Sequence, residues 1–284
     1  MKRIPAAVAL LAVLIAPAFS QQISFKLTGG WTTVQGDDYK TAVAGRMSLL
    51  RSTFSSVAGE FRPLTNGANF QAEILTHWGK RLAIGFGGGY IPTVFRMHLP
   101  QVHLQTVEVD PHVEKLAKQY FSFAVPPVQT LSIDDGRQFL KKSRERYDQI
   151  WLDAFNSDYI PAHMTTKEFL QLAKSRLTEG EIVIQSLFCG NNLYDAQIAT
   201  FQAVFAKVFV FEGQKSGSCI IVASDRPACE PAVLRKQAEK WGGKIGRIDL
   251  IAEAGKCRIA PTPKNATILT DDFNPANLLL MQKK

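Results

Sequence analysis

From Arg81 onward, short apolar runs of strand length alternate with longer segments whose apolar residues recur at every third or fourth position. The apolar runs are RLAIGFG, HLQTVEVD, VQTLSID, YDQIWLDAF, EIVIQSLF, KVFVFEG and SCIIVASD. The segments between them, such as PHVEKLAKQYF and TKEFLQLAKSRL, have the spacing of amphipathic helices that cover a sheet. The alternation predicts an α/β fold, with a mostly parallel sheet and helices on both of its faces.

The last two runs depart from this pattern, because only the five residues GQKSG separate them. Such a loop is too short for a helical crossover, so these two strands should form an antiparallel hairpin. A seven-stranded sheet that ends in a reversed hairpin is the layout of Rossmann-like folds of the class I methyltransferase type. We expect that layout over residues 81–284.

The N-terminal part of the chain differs from the rest. Residues 1–20 combine a basic start, an apolar run and small residues at the end, which is the pattern of a secretory signal. We expect a mature chain from about Gln21, exported to the periplasm or cell envelope, or a cytoplasmic one if the signal does not function. Residues 21–80 predict a small β-rich segment, which resembles the opening strands of an outer-membrane β-barrel.

Charge and cysteine usage narrow the function classes. The formal net charge is +8, but the Lys and Arg residues are scattered, so we expect no nucleic acid partner. No cysteine belongs to a C-x-x-C pair or has histidines at metal-like spacing, so we expect no metal. In an exported chain, one disulfide among Cys219, Cys229 and Cys257 is as compatible with the sequence as buried thiols are. Cys219 lies in an apolar run and is expected in the core.

Ligands of such sheets bind beyond the carboxyl ends of the strands, near the point where the strand order reverses. After the first run come Gly85, Gly87, Gly88 and Gly89, which let the backbone turn tightly and approach a ligand. Glu108 ends the second run about twenty residues later, where a carboxylate can accept hydrogen bonds from ribose hydroxyls. Together these features predict a nucleoside site, whereas the glycines alone would indicate only a turn.

Three further carboxylates follow the second and third runs. Asp110 is predicted to cap the helix that begins at Pro111. Asp134, Asp135 and Gly136 follow the third run. One of the two carboxylates is expected to accept from an adenine amino group while the other caps the next helix, and we assign Asp135 to adenine.

The glycine segment does not fit a dinucleotide site. The G-x-G-x-x-G pattern that starts at Gly85 would need a small residue at position 90, where Tyr90 stands. A cofactor without a pyrophosphate, such as S-adenosylmethionine, does not need that third glycine.

The fourth run ends in Asp153, and Asp158 and Tyr159 lie in the loop that follows. Carboxylates over the centre of the predicted cleft suit a cationic substrate. An amine is protonated at neutral pH, so a transferase must bind the cation and then remove its proton, which Asp153 can accept. We assign catalysis to Asp153 and substrate binding to Asp158 and Tyr159. A structural contact for Asp153 and a solvated or capping role for Asp158 remain alternatives.

Two later segments carry candidates of lower specificity. His163 is expected either to act as an acid or base at the cleft or only to order its loop. Thr165 or Thr166 should cap the next helix. Asp271 and Asp272 are expected either to add negative charge near the cleft or to shape a turn.

Six segments resemble, in order, the signatures of the spermidine synthase family, over about 200 residues: IGFGGGYIP, TVEVDPHVEKLAKQYF, DDGRQFL, YDQIWLDAF, IPAHMTTKEFL and LTDDFNPANLL. The resemblance implies transfer of an aminopropyl group from decarboxylated S-adenosylmethionine to an amine such as putrescine. By position it implies that the glycines Gly85 to Gly89 contact this co-substrate, that Glu108 holds its ribose and that Asp135 with Gly136 meets adenine. Asp153 would be the catalytic acidic residue.

Two departures keep other functions open. The loop after the fourth run reads DAFNSD where the family has a closer acidic pair, and residues 21–80 lack the family's Tyr-His-Glu segment. A methyltransferase that uses S-adenosylmethionine itself is one alternative, and an exported non-catalytic or fused β-barrel-type product is another. We expect a small-molecule amine substrate and no transmembrane span in the mature chain, and we leave a homodimer open.

Overall fold

The structure is a computed structural model that describes residues 82–84, 95, 102–120, 129–152, 160–212, 218–226, 230–240, 242, 244–245 and 248–282. The strands in this part of the chain are β1 (Leu82–Ile84), β2 (Leu104–Glu108), β3 (Gln129–Ile133), β4 (Tyr147–Leu152), β5 (Leu177–Phe188), β6 (Lys207–Glu212), β7 (Ser218–Ser224), β8 (Lys244–Ile245), β9 (Ile248–Asp249) and β10 (Cys257–Ile259). The α-helices are α1 (Pro111–Tyr120), α2 (Gly136–Lys142), α3 (Lys167–Ser175), α4 (Asn192–Gln202), α5 (Pro231–Lys240), α6 (Leu250–Ala254) and α7 (Ala276–Met281), and Ala162–Met164 forms a 3-10 turn.

The main sheet has the strand order β10-β6-β7-β5-β4-β1-β2-β3. Strands β1 to β5 are parallel to one another, and β7 is antiparallel to both β5 and β6. All seven predicted runs therefore form strands, and the predicted hairpin of β6 and β7 is confirmed. The prediction missed β10, which adds an eighth strand antiparallel to β6. Its three residues are too few to show a period.

The apolar runs are buried because helices and neighbouring strands cover the sheet on both faces. Along β6, Val208, Phe209, Val210 and Phe211 are all buried although they alternate between the two faces. The main core cluster includes Tyr147, Phe169 and Phe201 among its largest members.

Short polar residues start the helices as the sequence predicts. Asp110 Oδ1 accepts a hydrogen bond from the backbone N–H of His112 at 2.8 Å, at the start of α1. Thr166 Oγ1 accepts from the N–H of Phe169 at 3.1 Å and caps α3. These contacts satisfy donors that a helix cannot pair internally. Among the described residues, no helix is long and apolar enough to cross a membrane.

One disulfide joins Cys189, directly after β5, to Cys219 in β7, with 5.7 Å between the two Cα atoms. Of the two alternatives left open for the last three cysteines, a disulfide among them was wrong, because Cys219 bonds to Cys189. The antiparallel register sets Leu187 opposite Cys219, and this places Cys189 within bonding distance. Cys219 is buried, as predicted. Cys257 is a buried thiol outside this disulfide, and burial raises its pKa to about 12.

Candidate nucleoside site

The carboxyl ends of β1 to β4 lie along one edge of the sheet. The strand order reverses between β1 and β4, because β1 pairs with β2 on one side and with β4 on the other. Ile84 ends β1 and Leu152 ends β4. In the sequence, the glycine segment and Asp153 directly follow these two residues. Ligands in open parallel sheets bind at such a switch point.

Glu108 is the last residue of β2, and its side chain is completely buried. Its Oε1 accepts a hydrogen bond from the backbone N–H of Asp110 at 2.9 Å. Its backbone carbonyl accepts from the N–H of Asp134 at 3.0 Å, which joins the ends of β2 and β3. Glu108 is therefore fixed at the carboxyl edge of the sheet by contacts of both its side chain and its main chain.

Asp135 lies between β3 and α2, and its side chain contacts both α2 and the 3-10 turn at Ala162–Met164. Its Oδ1 accepts from the N–H of Gln138 at 2.8 Å and caps α2, and its Oδ2 lies 2.6 Å from His163 Nε2. The expectation that the other carboxylate would be the cap was wrong. Asp135 immediately precedes the first helical residue, so its side chain is the one that reaches the third helical N–H. Asp134 instead pairs with Lys142 Nζ at 2.8 Å.

Gly136 is the first residue of α2 and is buried. The other residues with predicted site roles lie outside the described residues, and their assignments stay predictions: Gly85, Gly87, Gly88, Gly89, Asp153, Asp158 and Tyr159. The signal pattern over 1–20 and the β-rich segment over 21–80 also lie outside them.

His163 belongs to the 3-10 turn that precedes α3. The ring approaches the carboxyl edge of β3 through its contact with Asp135. Because a carboxylate can only accept hydrogen bonds, His163 Nε2 is the donor and carries the proton in this contact. The structure therefore shows that the His163 ring contacts a candidate site residue. Its two predicted roles, acid–base chemistry at the cleft and ordering of its loop, stay predictions.

Arg137 was missed by the sequence analysis. Its two terminal nitrogens donate to both carboxylate oxygens of Asp271, at 2.7 and 2.5 Å, and one of them also donates to the backbone carbonyl of His163 at 2.9 Å. The position of Arg137, four residues after the end of β3, gave no signal that it would meet a residue 134 positions later. The hydrogen bond from Arg137 holds the pKa of Asp271 below its usual range, and the reciprocal bond raises the pKa of Arg137.

The C-terminal segment over 269–282 supports the turn that carries His163. Asn274 Nδ2 donates to the carbonyl of Ala162 at 2.6 Å and to Thr165 Oγ1 at 3.0 Å. Asn277 Oδ1 accepts from the N–H of Ile160 at 3.0 Å. An apolar cluster joins the same segments, and its buried members are Ile160, Leu193, Ala196, Leu269 and Ala276. Hydrogen bonds and apolar packing thus both connect the C-terminal segment to the turn and the residues beside it.

The acceptors at this edge match the donors of an adenosyl group. Ribose offers two hydroxyl donors and adenine an amino donor, and Glu108 and Asp135 are carboxylates on neighbouring strand ends. The Asp135 side chain is 24% exposed, so a ligand can approach it. Within the described ranges, no three acidic, His or Cys side chains are grouped as metal ligands would be.

Comparison with known proteins gives relatives of two kinds. Polyamine aminopropyltransferase of Vibrio vulnificus (strain CMCP6) is 33% identical over 205 residues, which are 70% of this chain and 69% of that protein. The eEF1A lysine and N-terminal methyltransferase of Bos taurus is 31% identical over 141 residues, which are 45% of this chain and only 20% of that protein. A probable spermidine synthase from Corynebacterium glutamicum superposes with a TM-score of 0.48 at 19% identity, and the match covers 65% of this chain and 69% of that one.

Residues 75–221 match the spermine/spermidine synthase domain, which is more than half of the chain. This match contains the described strands β1 to β6 and the carboxylates Glu108 and Asp135. The chain belongs to the spermine/spermidine synthase family.

Proposed function

We propose that this chain is a spermidine synthase-like transferase that moves an aminopropyl group from decarboxylated S-adenosylmethionine to an amine such as putrescine. The observation that carries the proposal is the pair of carboxylates Glu108 and Asp135 on neighbouring strand ends, in a chain of this family. Their acceptor oxygens suit ribose hydroxyls and the adenine amino group. The sulfonium of the co-substrate supplies the leaving group.

The protein's own residues have three tasks in this proposal. The glycines Gly85 to Gly89 allow the backbone close to the co-substrate. Glu108 holds the ribose, and Asp135 with Gly136 meets adenine. These contacts align the aminopropyl carbon with the incoming amine, and alignment of this kind lowers the barrier of a two-substrate reaction.

Asp153 is proposed to bind the amine and to remove its proton. As the amine nitrogen bonds to the aminopropyl carbon, the bond from that carbon to sulfur breaks and the amine proton passes to the Asp153 carboxylate. Asp158 and Tyr159 are proposed to hold the far end of the amine. A substitution of Asp153 leaves the residues that bind the nucleoside in place, so the affinity for the nucleoside should not change.

Methyl transfer is the second candidate function. The similarity to the bovine eEF1A methyltransferase favours it, and so does the DAFNSD loop, which spaces the two acids differently from the family's pattern. A methyltransferase would use S-adenosylmethionine itself.

The first test is calorimetric titration of the full chain with methylthioadenosine, decarboxylated S-adenosylmethionine and S-adenosylhomocysteine. Aminopropyl transfer predicts tighter binding of the first two, whereas methyl transfer predicts tighter binding of the third. A folded chain that binds none of them would contradict both functions and leave the non-catalytic alternative.

The second test separates chemistry from binding. Asp153→Asn should lower aminopropyl transfer by about 100-fold or more because the amine proton has lost its acceptor. Its affinity for methylthioadenosine should stay within about threefold of wild type, as for the exposed control Asp272→Asn. Full turnover by Asp153→Asn would remove the catalytic assignment.

We also propose that the chain is exported. The Cys189–Cys219 disulfide supports export, since disulfides persist in oxidising compartments and are rare in the reducing cytosol. Cell fractionation with thiol labelling tests the proposal. Recovery of the chain in the cytosol with Cys189 reduced would contradict it.

A further inference from the structure

A chain of polar contacts connects the C-terminal segment to Asp135. Arg137 donates two hydrogen bonds to the Asp271 carboxylate, and the same guanidinium donates to the His163 carbonyl. The His163 ring then donates to Asp135 Oδ2. Each member thus bonds directly to the next, from a residue 134 positions later in the sequence back to the end of β3.

The Arg137–Asp271 contact has the features of an ion pair that fixes geometry. Paired N–H donors of a guanidinium match the two oxygens of a carboxylate and define their relative orientation. The Arg137 side chain is only 12% exposed, which limits its competing contacts with water. Asp271 is held from its other side as well, since its backbone N–H donates to Glu168 Oε2 at 2.9 Å.

His163 is held through its main chain and leaves its ring to act on Asp135. Arg137 binds the His163 carbonyl, and Asn274 binds the carbonyl of the preceding Ala162 at 2.6 Å. Both contacts fix the turn without using the imidazole. The ring remains 43% exposed and donates to Asp135, so it lies beside the oxygen that an adenine amino group would approach.

We propose that Asp271, Arg137 and His163 are positioning residues that make the C-terminal segment part of the nucleoside site. Asp271 and Arg137 fix the turn, and His163 fixes the orientation of the Asp135 carboxylate toward the 6-amino group of the purine. The proposal rests on the proposed function of Asp135 as the adenine acceptor.

The consequence is selectivity for a 6-amino purine over a 6-oxo purine. A correctly oriented carboxylate accepts from the amino group of methylthioadenosine, whereas it faces the carbonyl oxygen of methylthioinosine. Loss of a hydrogen bond to a charged group, with an unpaired acceptor left behind, corresponds to about 10-fold or more in affinity. The ratio of the two affinities therefore reports the orientation of Asp135, whereas general damage to the site would weaken both ligands alike.

The experiment titrates the full chain and its variants with both ligands. Asp271→Asn breaks the paired contact with Arg137 and should lower the ratio by about threefold to tenfold. The neighbouring Asp272→Asn removes an exposed carboxylate of the same segment and should leave the ratio unchanged. Equal ratios in the two variants, both folded by their thermal unfolding, would overturn the proposal.

A second pair of variants tests His163 itself. His163→Ala should lower the ratio at least as much as Asp271→Asn, and His163→Gln should restore part of it because its amide can donate to Asp135. An unchanged ratio in His163→Ala would also overturn the proposal. If wild type binds methylthioadenosine and methylthioinosine equally, or neither of them, the proposed role of Asp135 fails first, so the two failures are distinguishable.

Discussion

The two ends of the sheet are built differently. Around β4 to β7, the described residues form a thick apolar core that buries Tyr147, Phe169 and Phe201. At the β2–β3 end, a small described cluster joins Val113, Ala117 and the partly buried Leu131, and polar contacts, such as that of the Asp134 N–H with the Glu108 carbonyl, also join the elements. The difference indicates that stability and the candidate site are separable. Packing around β4 to β7 should set the free energy of unfolding, and hydrogen bonds at the β3 end should set ligand selectivity.

Phe201→Ala should have the largest effect on stability. Phe201 is fully buried in α4 and stacks on Phe205, with 6.0 Å between the ring centroids. Its removal should lower the free energy of unfolding by about 3–5 kcal/mol through lost burial and a cavity. Urea unfolding measures the change, with Phe188→Ala as control because Phe188 is 46% exposed. A Phe201→Ala chain that is as stable as the control would contradict the assignment of stability to this core.

Reduction of the Cys189–Cys219 disulfide should have the next largest effect. The bond spans 30 residues and ties the end of β5 to β7. Opening a loop of that length frees the unfolded chain and should lower the free energy of unfolding by about 3–4 kcal/mol. Urea unfolding with and without dithiothreitol measures this loss of stability. The control Cys189→Ala lacks the disulfide, so dithiothreitol should not change its unfolding curve. Identical curves for wild type would show that the disulfide does not contribute.

Glu181→Gln tests the amino edge of the same central strands. Burial, and then the charge of Asp148, raises the pKa of Glu181 from 4.5 to about 7, while Arg226 opposes the rise. A raised carboxyl pKa means that the folded state favours the protonated form, so its stability contribution is complete below pH 4.5 and is lost as the pH rises through about 7.

The neutral Gln should therefore leave stability unchanged near pH 4 and increase it above pH 7, by roughly 2 kcal/mol. Unfolding curves over that pH range measure the difference, and Glu179→Gln, whose side chain is almost fully exposed, is the control. A constant difference between Glu181→Gln and wild type at all pH values would contradict the pKa shift.

The sequence predicted the central strands well because a strand that is buried on both faces has a continuous apolar run. In this chain, the amphipathic segments between the runs distinguish them from helices. All seven runs became strands, and the reversed hairpin followed from its short loop alone. The edge strand β10 escaped prediction because Cys257, Arg258 and Ile259 carry no period, and only pairing with β6 makes them a strand. Leu177 was grouped with helix α3 although it starts β5, since an apolar residue at a boundary fits either element.

The site was predictable only where it depends on strand ends. Glu108 and Asp135 were found because each directly follows or ends an apolar run. The choice of Asp134 or Asp135 as cap depended on the first residue of α2, which periodicity does not fix to one position. Arg137 was missed because its partner Asp271 is distant in sequence, and no local pattern announces such a contact.

Lys142→Ala should have the smallest effect and separates the roles of Asp134 and Asp135. Lys142 pairs with Asp134 at 2.8 Å, but its side chain is 68% exposed, and exposed ion pairs contribute below about 1 kcal/mol. Unfolding by urea should therefore detect little change, and the preference for methylthioadenosine over methylthioinosine should stay at the wild-type value because Asp135 does not depend on this pair. A lost preference in Lys142→Ala would mean that Asp134 meets the purine, and the β3 end would then recognise its ligand through the acid that does not cap α2.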